Sequence, residues 1–221
     1  ENQELNRYVG DYDHFQEVYA AKKAQLEAAY RKQQQEISEL NDFIARNGDY
    51  WTNNDFNDDI AWAVLDSVRA YLLFGEQRYL DIAKKNWDFM YARGTAGRTD
   101  GLIRWSHENG RGEGTTSCIN GPATVGACYL AIATGDESYY EKAKSVFEAW
   151  RNTEWCITEG DDAGHVWDSP GNGWCSTYNQ GTFIGAATML YEKYGTQQYY
   201  DDACNAVKAV YRYLCNGNIL K

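Results

Sequence analysis

Asp58 and Asp59 stand side by side after Asn57, where a helical pattern of small and apolar residues begins. Two adjacent carboxyl groups can divide acid–base work, one holding a proton while the other stays ionised. Hydrolysis of a glycosidic bond uses such a pair, one group protonating the leaving oxygen and the other attacking or activating water. Neighbouring β-carbons at a helix start are about 5–6 Å apart. Their carboxyls can therefore reach the short separation of a retaining mechanism, about 5–5.5 Å. The positive end of the helix dipole favours both anions, while their mutual repulsion pushes one pKa up. The competing role is structural, because Asn and Asp are common helix caps.

Further candidates lie between the helical stretches. Trp105, Trp167 and Trp174 sit on long connections, where an indole can form a platform for a sugar ring or pin the loop to a helix end. Tyr178, Asn179 and Gln180 can hydrogen-bond sugar hydroxyls at a cleft, and Asn179 alone could cap the helix that starts there. Asp161, Asp162, His165 and Asp168 form an acidic, glycine-punctuated stretch that reads as solvated rather than as a metal site. His107, alone in a glycine-rich loop, reads as a polar loop residue. No metal or cofactor is expected.

Composition narrows the partners. A formal net charge of −11 disfavours nucleic acid and anionic membranes, because phosphate binding needs a basic patch. No apolar run approaches the ~18 residues of a membrane span. With 18 Tyr and 8 Trp among 221 residues, the chain has aromatic side chains to spare for stacking flat, weakly charged ligands. The first residue is Glu1 rather than Met, which reads as a processed, trimmed or partial chain. The six cysteines (118, 128, 156, 175, 204 and 215) show no zinc-finger spacing. A Cys156–Cys175 disulfide could close one interhelical loop, and free buried thiols are the other reading, above all for Cys128 and Cys204.

The elements that must position these residues repeat. Gly75-Glu-Gln-Arg-Tyr79-Leu-Asp-Ile-Ala83 returns as Gly135-Asp-Glu-Ser-Tyr139-Tyr-Glu-Lys-Ala143 and as Gly195-Thr-Gln-Gln-Tyr199-Tyr-Asp-Asp-Ala203, sixty positions apart each time. The pattern predicts helices over 59–74, 119–134 and 179–194, each closed by its glycine, and partners over about 77–93, 137–152 and 197–214. Each unit is then a helical hairpin, stacked on its neighbours as an open solenoid or a closed α/α toroid. In this register Asp58 aligns with Cys118 and Tyr178, and Asp59 with Ile119 and Asn179. A capping role would recur in every hairpin, so the single acid pair points to function.

Residues 1–47 stand outside the repeat, and 48–221 form the hairpin domain. From Gln16 to Arg46 the chain predicts one long amphipathic helix, with a thin apolar stripe at Val18, Leu26, Tyr30, Ile37, Leu40 and Ile44. Leu5-Asn-Arg-Tyr-Val-Gly-Asp-Tyr12, Gln33-Gln-Gln-Glu-Ile-Ser-Glu-Leu40 and Asp42-Phe-Ile-Ala-Arg-Asn47 resemble the linker helix of ABC-F ATPases. No GxxxxGK[ST] motif accompanies them, so the resemblance implies a fused helical arm rather than ATPase activity. The other reading makes this helix the first of the toroid.

From residue 49 onward the resemblance is to glycoside hydrolase family 76. It rests on Phe56-Asn-Asp-Asp-Ile-Ala-Trp62, Arg69-Ala-Tyr71, Gly101-Leu-Ile-Arg-Trp105, Asn120-Gly121-Pro122 and Tyr178-Asn-Gln-Gly181. It implies an all-α (α/α)6 toroid, of which this chain supplies about three of six hairpins, and retaining hydrolysis of α-1,6-linked mannose chains. Asp58 would be the nucleophile and Asp59 the acid/base. Asn57, Trp62, Trp105, Trp167, Trp174, Tyr178, Asn179 and Gln180 would bind α-mannan or mannooligosaccharide. A secreted or cell-surface protein is expected, self-associated or joined by a partner that completes the ring. The alternative is a non-catalytic carbohydrate-binding or structural fragment.

Overall fold

The computed structural model describes residues 11–107, 114–217, 219 and 220. The chain forms two compact units, Glu1–Arg46 and Asn47–Lys221. The described residues of the first form one helix, α1 (Tyr12–Asn47). Asp11 caps it by accepting the His14 N–H at 2.9 Å, which starts the helix four residues before the predicted Gln16. Its exposed face carries i,i+4 pairs such as Gln35–Glu39, and Leu26 and Tyr30 of the apolar stripe are exposed.

The second unit is all-α in its framework. Three antiparallel hairpins follow one another: α2 (Asn57–Phe74) with α3 (Gln77–Thr95), α4 (Ser117–Thr134) with α5 (Ser138–Arg151), and α6 (Thr177–Tyr194) with α7 (Gln197–Ala209). The inner helices α2, α4 and α6 pack in series, with α3, α5 and α7 behind them, as in an arc of an α/α toroid. Each inner helix ends where Gly75, Gly135 or Gly195 turns left-handed, at φ 72°, 72° and 66°, and returns its N–H to a carbonyl of the last turn. A side-chain-bearing residue would be strained there, which is why the repeat keeps glycine. Each inner helix begins two residues earlier than the sequence pattern suggests.

Helix α4 lies at the centre and is buried nearly all round. Its small residues allow close approach, for a Cβ placed on Gly121 would stand 2.2 Å from Thr182 Oγ1 of α6. The repeated tyrosines seal the outer layer. Tyr79, Tyr139 and Tyr199 are all buried. Tyr139 donates to Asp88 of the preceding outer helix at 2.8 Å, and Tyr199 donates to Glu148 at 2.6 Å, the same contact one repeat later. The seam between α5 and α7 adds a buried pair in which Arg151 meets both oxygens of Asp202, at 2.5 and 3.1 Å.

Two features depart from the sequence expectation, and a third settles an alternative the sequence left open. Helix α7 stops at Ala209 and widens into a π-turn, Val210–Leu214, before a short ribbon of β3 (Cys215–Asn216) and β4 (Ile219–Leu220). The wider turn brings Tyr213 onto the ring of His165, with centroids 4.3 Å apart. The connection between α5 and α6 contains a second ribbon, β1 (Trp167–Ser169) and β2 (Asn172–Cys175), turned at Pro170-Gly171. Cys156 and Cys175 are free thiols rather than a disulfide: Cys156 bridges to Val166, while Cys175 pairs with Trp167 across the ribbon. No helix among the described residues is long and apolar enough to cross a membrane.

The last hairpin carries an apolar groove of about 550 Å³ lined by Ile184, Tyr191, Tyr200 and Val207. Sixty positions earlier, the corresponding face of α4 and α5 is the one that α6 packs against.

Candidate active site

The starts of the three inner helices meet at one cleft of about 610 Å³. It is lined by Asp58, Asp59 and Trp62 of α2, Cys118 of α4 and Tyr178 of α6, with Trp105, Thr116, Asp168 and Trp174 from the segments before α4 and α6. Asp58, Cys118 and Tyr178 are the second residue of their helices, so one position of the repeat supplies three different groups to the cleft.

The two connections are clamped in the same way. The residue that opens α2 or α4 holds a backbone carbonyl of the connection that follows its hairpin: Asn57 Nδ2 donates to Arg104 O at 2.7 Å, and Ser117 Oγ donates to Trp167 O at 2.5 Å. The fourth residue of the next inner helix takes an N–H from that same connection. Asn120 accepts from Ile103 N at 3.0 Å, and Gln180 accepts from Val166 N at 2.6 Å. The residue just beyond each clamped carbonyl lines the cleft: Trp105 in one connection, Asp168 in the other.

This geometry corrects several sequence expectations. Asn57 is fully buried and holds Arg93 and Arg104 rather than facing a ligand. Gln180 is fully buried and also donates to Gly164 O at 2.9 Å, so it fastens a loop. Asn179, equally buried, steadies Asp168 at 3.2 Å. It does not cap α6 either: Ser176 does, accepting the Asn179 N–H. Trp167 lies in the ribbon between His165 and Gly173, outside the cleft lining. Neither aspartate caps α2, whose N-cap position is Phe56 with no side-chain bond.

Trp62, Trp105, Trp174 and Tyr178 do line the cleft. Tyr178 meets Trp62 edge-on at 6.5 Å and Trp174 at 6.0 Å, so one wall is a run of three exposed aromatic rings. Trp105 leans on Phe56 at 5.1 Å. Aromatic faces beside hydrogen-bonding carboxylates suit a ligand with apolar faces and polar edges, as a sugar ring has.

Asp168, Thr116 and Cys118 were not expected in the cleft. The acidic stretch that contains Asp168 divides in the fold. Asp162 faces Arg212 and Tyr213, and His165 stacks on Tyr213, leaving Asp168 alone at the cleft. No cluster able to hold a metal occurs among the described residues. The clamp equivalence with Trp105 is the signal that finds Asp168, and it exists only in the folded chain.

The two central carboxylates differ. Asp58 is half-buried, its Oδ1 has no hydrogen-bond partner, and its Oδ2 accepts from Cys118 Sγ at 3.4 Å. Burial is the largest influence on Asp58 and pushes its pKa up, with the Asp59 charge adding to the rise; the Trp105 indole and the Cys118 thiol act the other way. Asp59 is exposed and accepts from Asn54 Nδ2 at 3.3 Å, whereas its repeat counterparts Ile119 and Asn179 are buried.

The sequence profile of glycosyl hydrolase family 76 matches residues 12–221. The chain belongs to that family. Among solved structures it resembles an α-1,6-mannanase of Salegentibacter, at 31% identity with a TM-score of 0.69 over 82% of this chain and 55% of that one. An inactive variant of that mannanase, carrying two consecutive Asp→Asn changes and in complex with α-1,6-mannotriose, matches at 30% identity with a TM-score of 0.68, over 80% of this chain and 54% of that one. This family-76 chain thus spans about half the length of these enzymes. A short stretch has other kin: 47 residues, 21% of this chain, are 74% identical to 9% of the ABC transporter ATP-binding protein YfmM of Bacillus subtilis.

Proposed function

We propose that this protein hydrolyses α-1,6-mannosidic bonds with retention of configuration, Asp58 acting as nucleophile and Asp59 as acid/base. The observation that carries the proposal is the pair of adjacent, differently solvated carboxylates in a cleft walled by Trp62, Tyr178 and Trp174. The paired Asp→Asn changes of the inactive Salegentibacter variant support it. Asp58 attacks the anomeric carbon while Asp59 gives its proton to the departing glycosidic oxygen. Asp59, now ionised, takes a proton from water, whose oxygen attacks the same carbon and releases Asp58.

The raised proton affinity of Asp58, taken alone, would suit a general acid. Two features outweigh it. Asp59 is open to solvent and can lose and regain a proton each turnover, while Asp58 is held by a neighbouring donor and keeps a fixed direction of attack. Polysaccharide is met outside the cell, so the same proposal places the protein in the secreted or cell-surface compartment.

The experiment is a comparison of leaving groups. Asp58→Asn should abolish turnover of α-1,6-mannooligosaccharides and of activated aryl mannosides alike. Asp59→Asn should lose about 10²–10⁴-fold on the oligosaccharide and far less on the activated substrate, which needs no proton. Undiminished turnover in Asp58→Asn would sink the assignment, and the opposite pattern of losses would exchange the two roles. Because the chain spans half the length of its solved relatives, carbohydrate binding without turnover is the second reading. Calorimetric binding of mannotriose with no released product would establish it.

A further inference from the structure

Cys118 donates to Asp58 from the cleft wall, beside the Trp105 indole, and neither the repeat nor the packing of α4 accounts for a thiol at this position. Its Sγ stands 3.4 Å from Asp58 Oδ2 and 2.9 Å from Thr116 Oγ1. A thiol has one proton. If that proton points to the carboxylate, the Thr116 hydroxyl must supply the other bond and donate to sulfur. We propose that Thr116, Cys118 and Asp58 form a donor chain, hydroxyl to thiol to carboxylate, in which Cys118 is a positioning residue that fixes the direction and the proton affinity of Asp58. The proposal rests on Asp58 being the nucleophile.

The chemistry of the pocket keeps the chain in that direction. Burial, with the charges of Asp58 and Asp168, pushes the Cys118 thiol up to about 12, so it keeps its proton at any working pH. A thiolate there would repel Asp58; a thiol supports its charge. Donation from Thr116 makes the sulfur a better donor, because hydrogen bonds in series polarise one another. The titratable groups that face this chain are Asp59 on α2, Asp168 on the connection before α6, and Tyr178 on α6. The two acids raise proton affinity at Asp58 or at Cys118, and the donor chain opposes them at Asp58 together with the Trp105 indole. Serine at 118 would preserve a donor, and alanine would remove it.

The test is the acid limb of the kcat/KM–pH profile in Cys118→Ala, Cys118→Ser and Thr116→Val. The donor stabilises ionised Asp58, so its loss raises the pKa and moves the acid limb upward. Cys118→Ala should shift it by about half a pH unit, because an N–H donor moves a carboxylate by up to about one unit and a thiol is a weaker donor. Thr116→Val should shift it less and in the same direction, and Cys118→Ser should leave it near the parent value. A side chain that merely fills space would instead lower kcat evenly across pH and leave the limb in place, and that result overturns the proposal. A carboxyl ¹³C NMR titration, with the Asp58 signal identified by its loss in Asp58→Asn, reads the same shift without turnover. If Asp58→Asn keeps its activity, the nucleophile assignment fails while the titration still reports on the chain. If Asp58→Asn is inactive and Cys118→Ala titrates like the parent, only the donor chain fails.

Discussion

Two positions of the sixty-residue repeat have opposite fates. At the start of the outer helices the same residue returns three times, as Tyr79, Tyr139 and Tyr199, each buried. At the second residue of the inner helices nothing returns: Asp58, Cys118 and Tyr178 differ in charge, donor capacity and size, and all three line the cleft. The first position does one mechanical task at every seam, filling the interface and pairing with an acid on the preceding outer helix where Asp88 or Glu148 is present. The second faces the cleft rather than a helix seam, so each copy can carry a different chemical group. In a repeat fold, sameness marks the seam and difference marks the site.

The sharpest way to break this comparison is to change both positions and measure stability beside activity. Asp58→Asn should remove turnover completely and yet raise the melting temperature at pH 7. The sign follows from linkage. A carboxyl whose folded pKa is raised above its unfolded value binds more protons when folded, so stability falls as pH rises through that interval and the penalty is complete above it. At neutral pH Asp58 therefore costs stability that Asn does not, and below pH ~3.9, the unfolded value, the gain should vanish. A lower melting temperature for Asp58→Asn at pH 7 would contradict the burial argument. Tyr139→Ala should do the reverse. It removes a fully buried ring, a change of about 3–5 kcal/mol by analogy with other large aromatics, while the folded fraction keeps its specific activity. Tyr139→Phe, which keeps the ring and loses the hydroxyl's bond to the Asp88 carboxylate, should cost about 1.5–3 kcal/mol in a denaturant titration.

Between these extremes lie the clamps, which belong to neither class. Gln180 touches no cleft space, yet it orients the segment that leads to Asp168. Gln180→Leu should leave the Val166 N–H and Gly164 C=O without their partner, at about 1–3 kcal/mol for each orphaned group. It should also raise KM, because Asp168 loses its fixed backbone. A variant that loses stability with KM unchanged would show that the ribbon and Asn179 hold Asp168 without Gln180.

Legibility followed the same division. The hairpins could be read from the sequence because a glycine–tyrosine–alanine pattern at fixed spacing has one physical cause, a helix end followed by a buried helix face. The acid pair stood out because it broke that repetition. Asn57, Asn179 and Gln180 were misassigned for one reason: an amide at a helix start suits a sugar hydroxyl and a backbone carbonyl equally well, and only burial separates the two. The β1–β2 ribbon and the place of Asp168 were hidden because strands of three and four residues leave too short an alternation to read. The π-turn after Ala209 was hidden as well, since Val210–Leu214 continues an apolar pattern without burying any residue.

The smallest effect is expected from the region with no repeat at all. On α1 the same-sequence logic has little to hold: Leu26 and Tyr30 of the apolar stripe are exposed while Leu40 is buried, and polar pairs such as Gln35–Glu39 and Lys32–Glu36 are solvated i,i+4 contacts worth a few tenths of a kcal/mol each. We propose that residues 1–47 are an added arm, a reading supported by the 74% identity of a 47-residue stretch to an ATP-binding protein. The family profile nevertheless begins at residue 12, which would make α1 the first helix of the ring. Deletion of residues 1–47 separates the two accounts. An added arm should lower the melting temperature less than Tyr139→Ala does, and leave the acid limb set by Asp58 where it was. A loss larger than that of Tyr139→Ala would mean that α1 fills a ring position, and the arm would then have been assigned by sequence kinship alone.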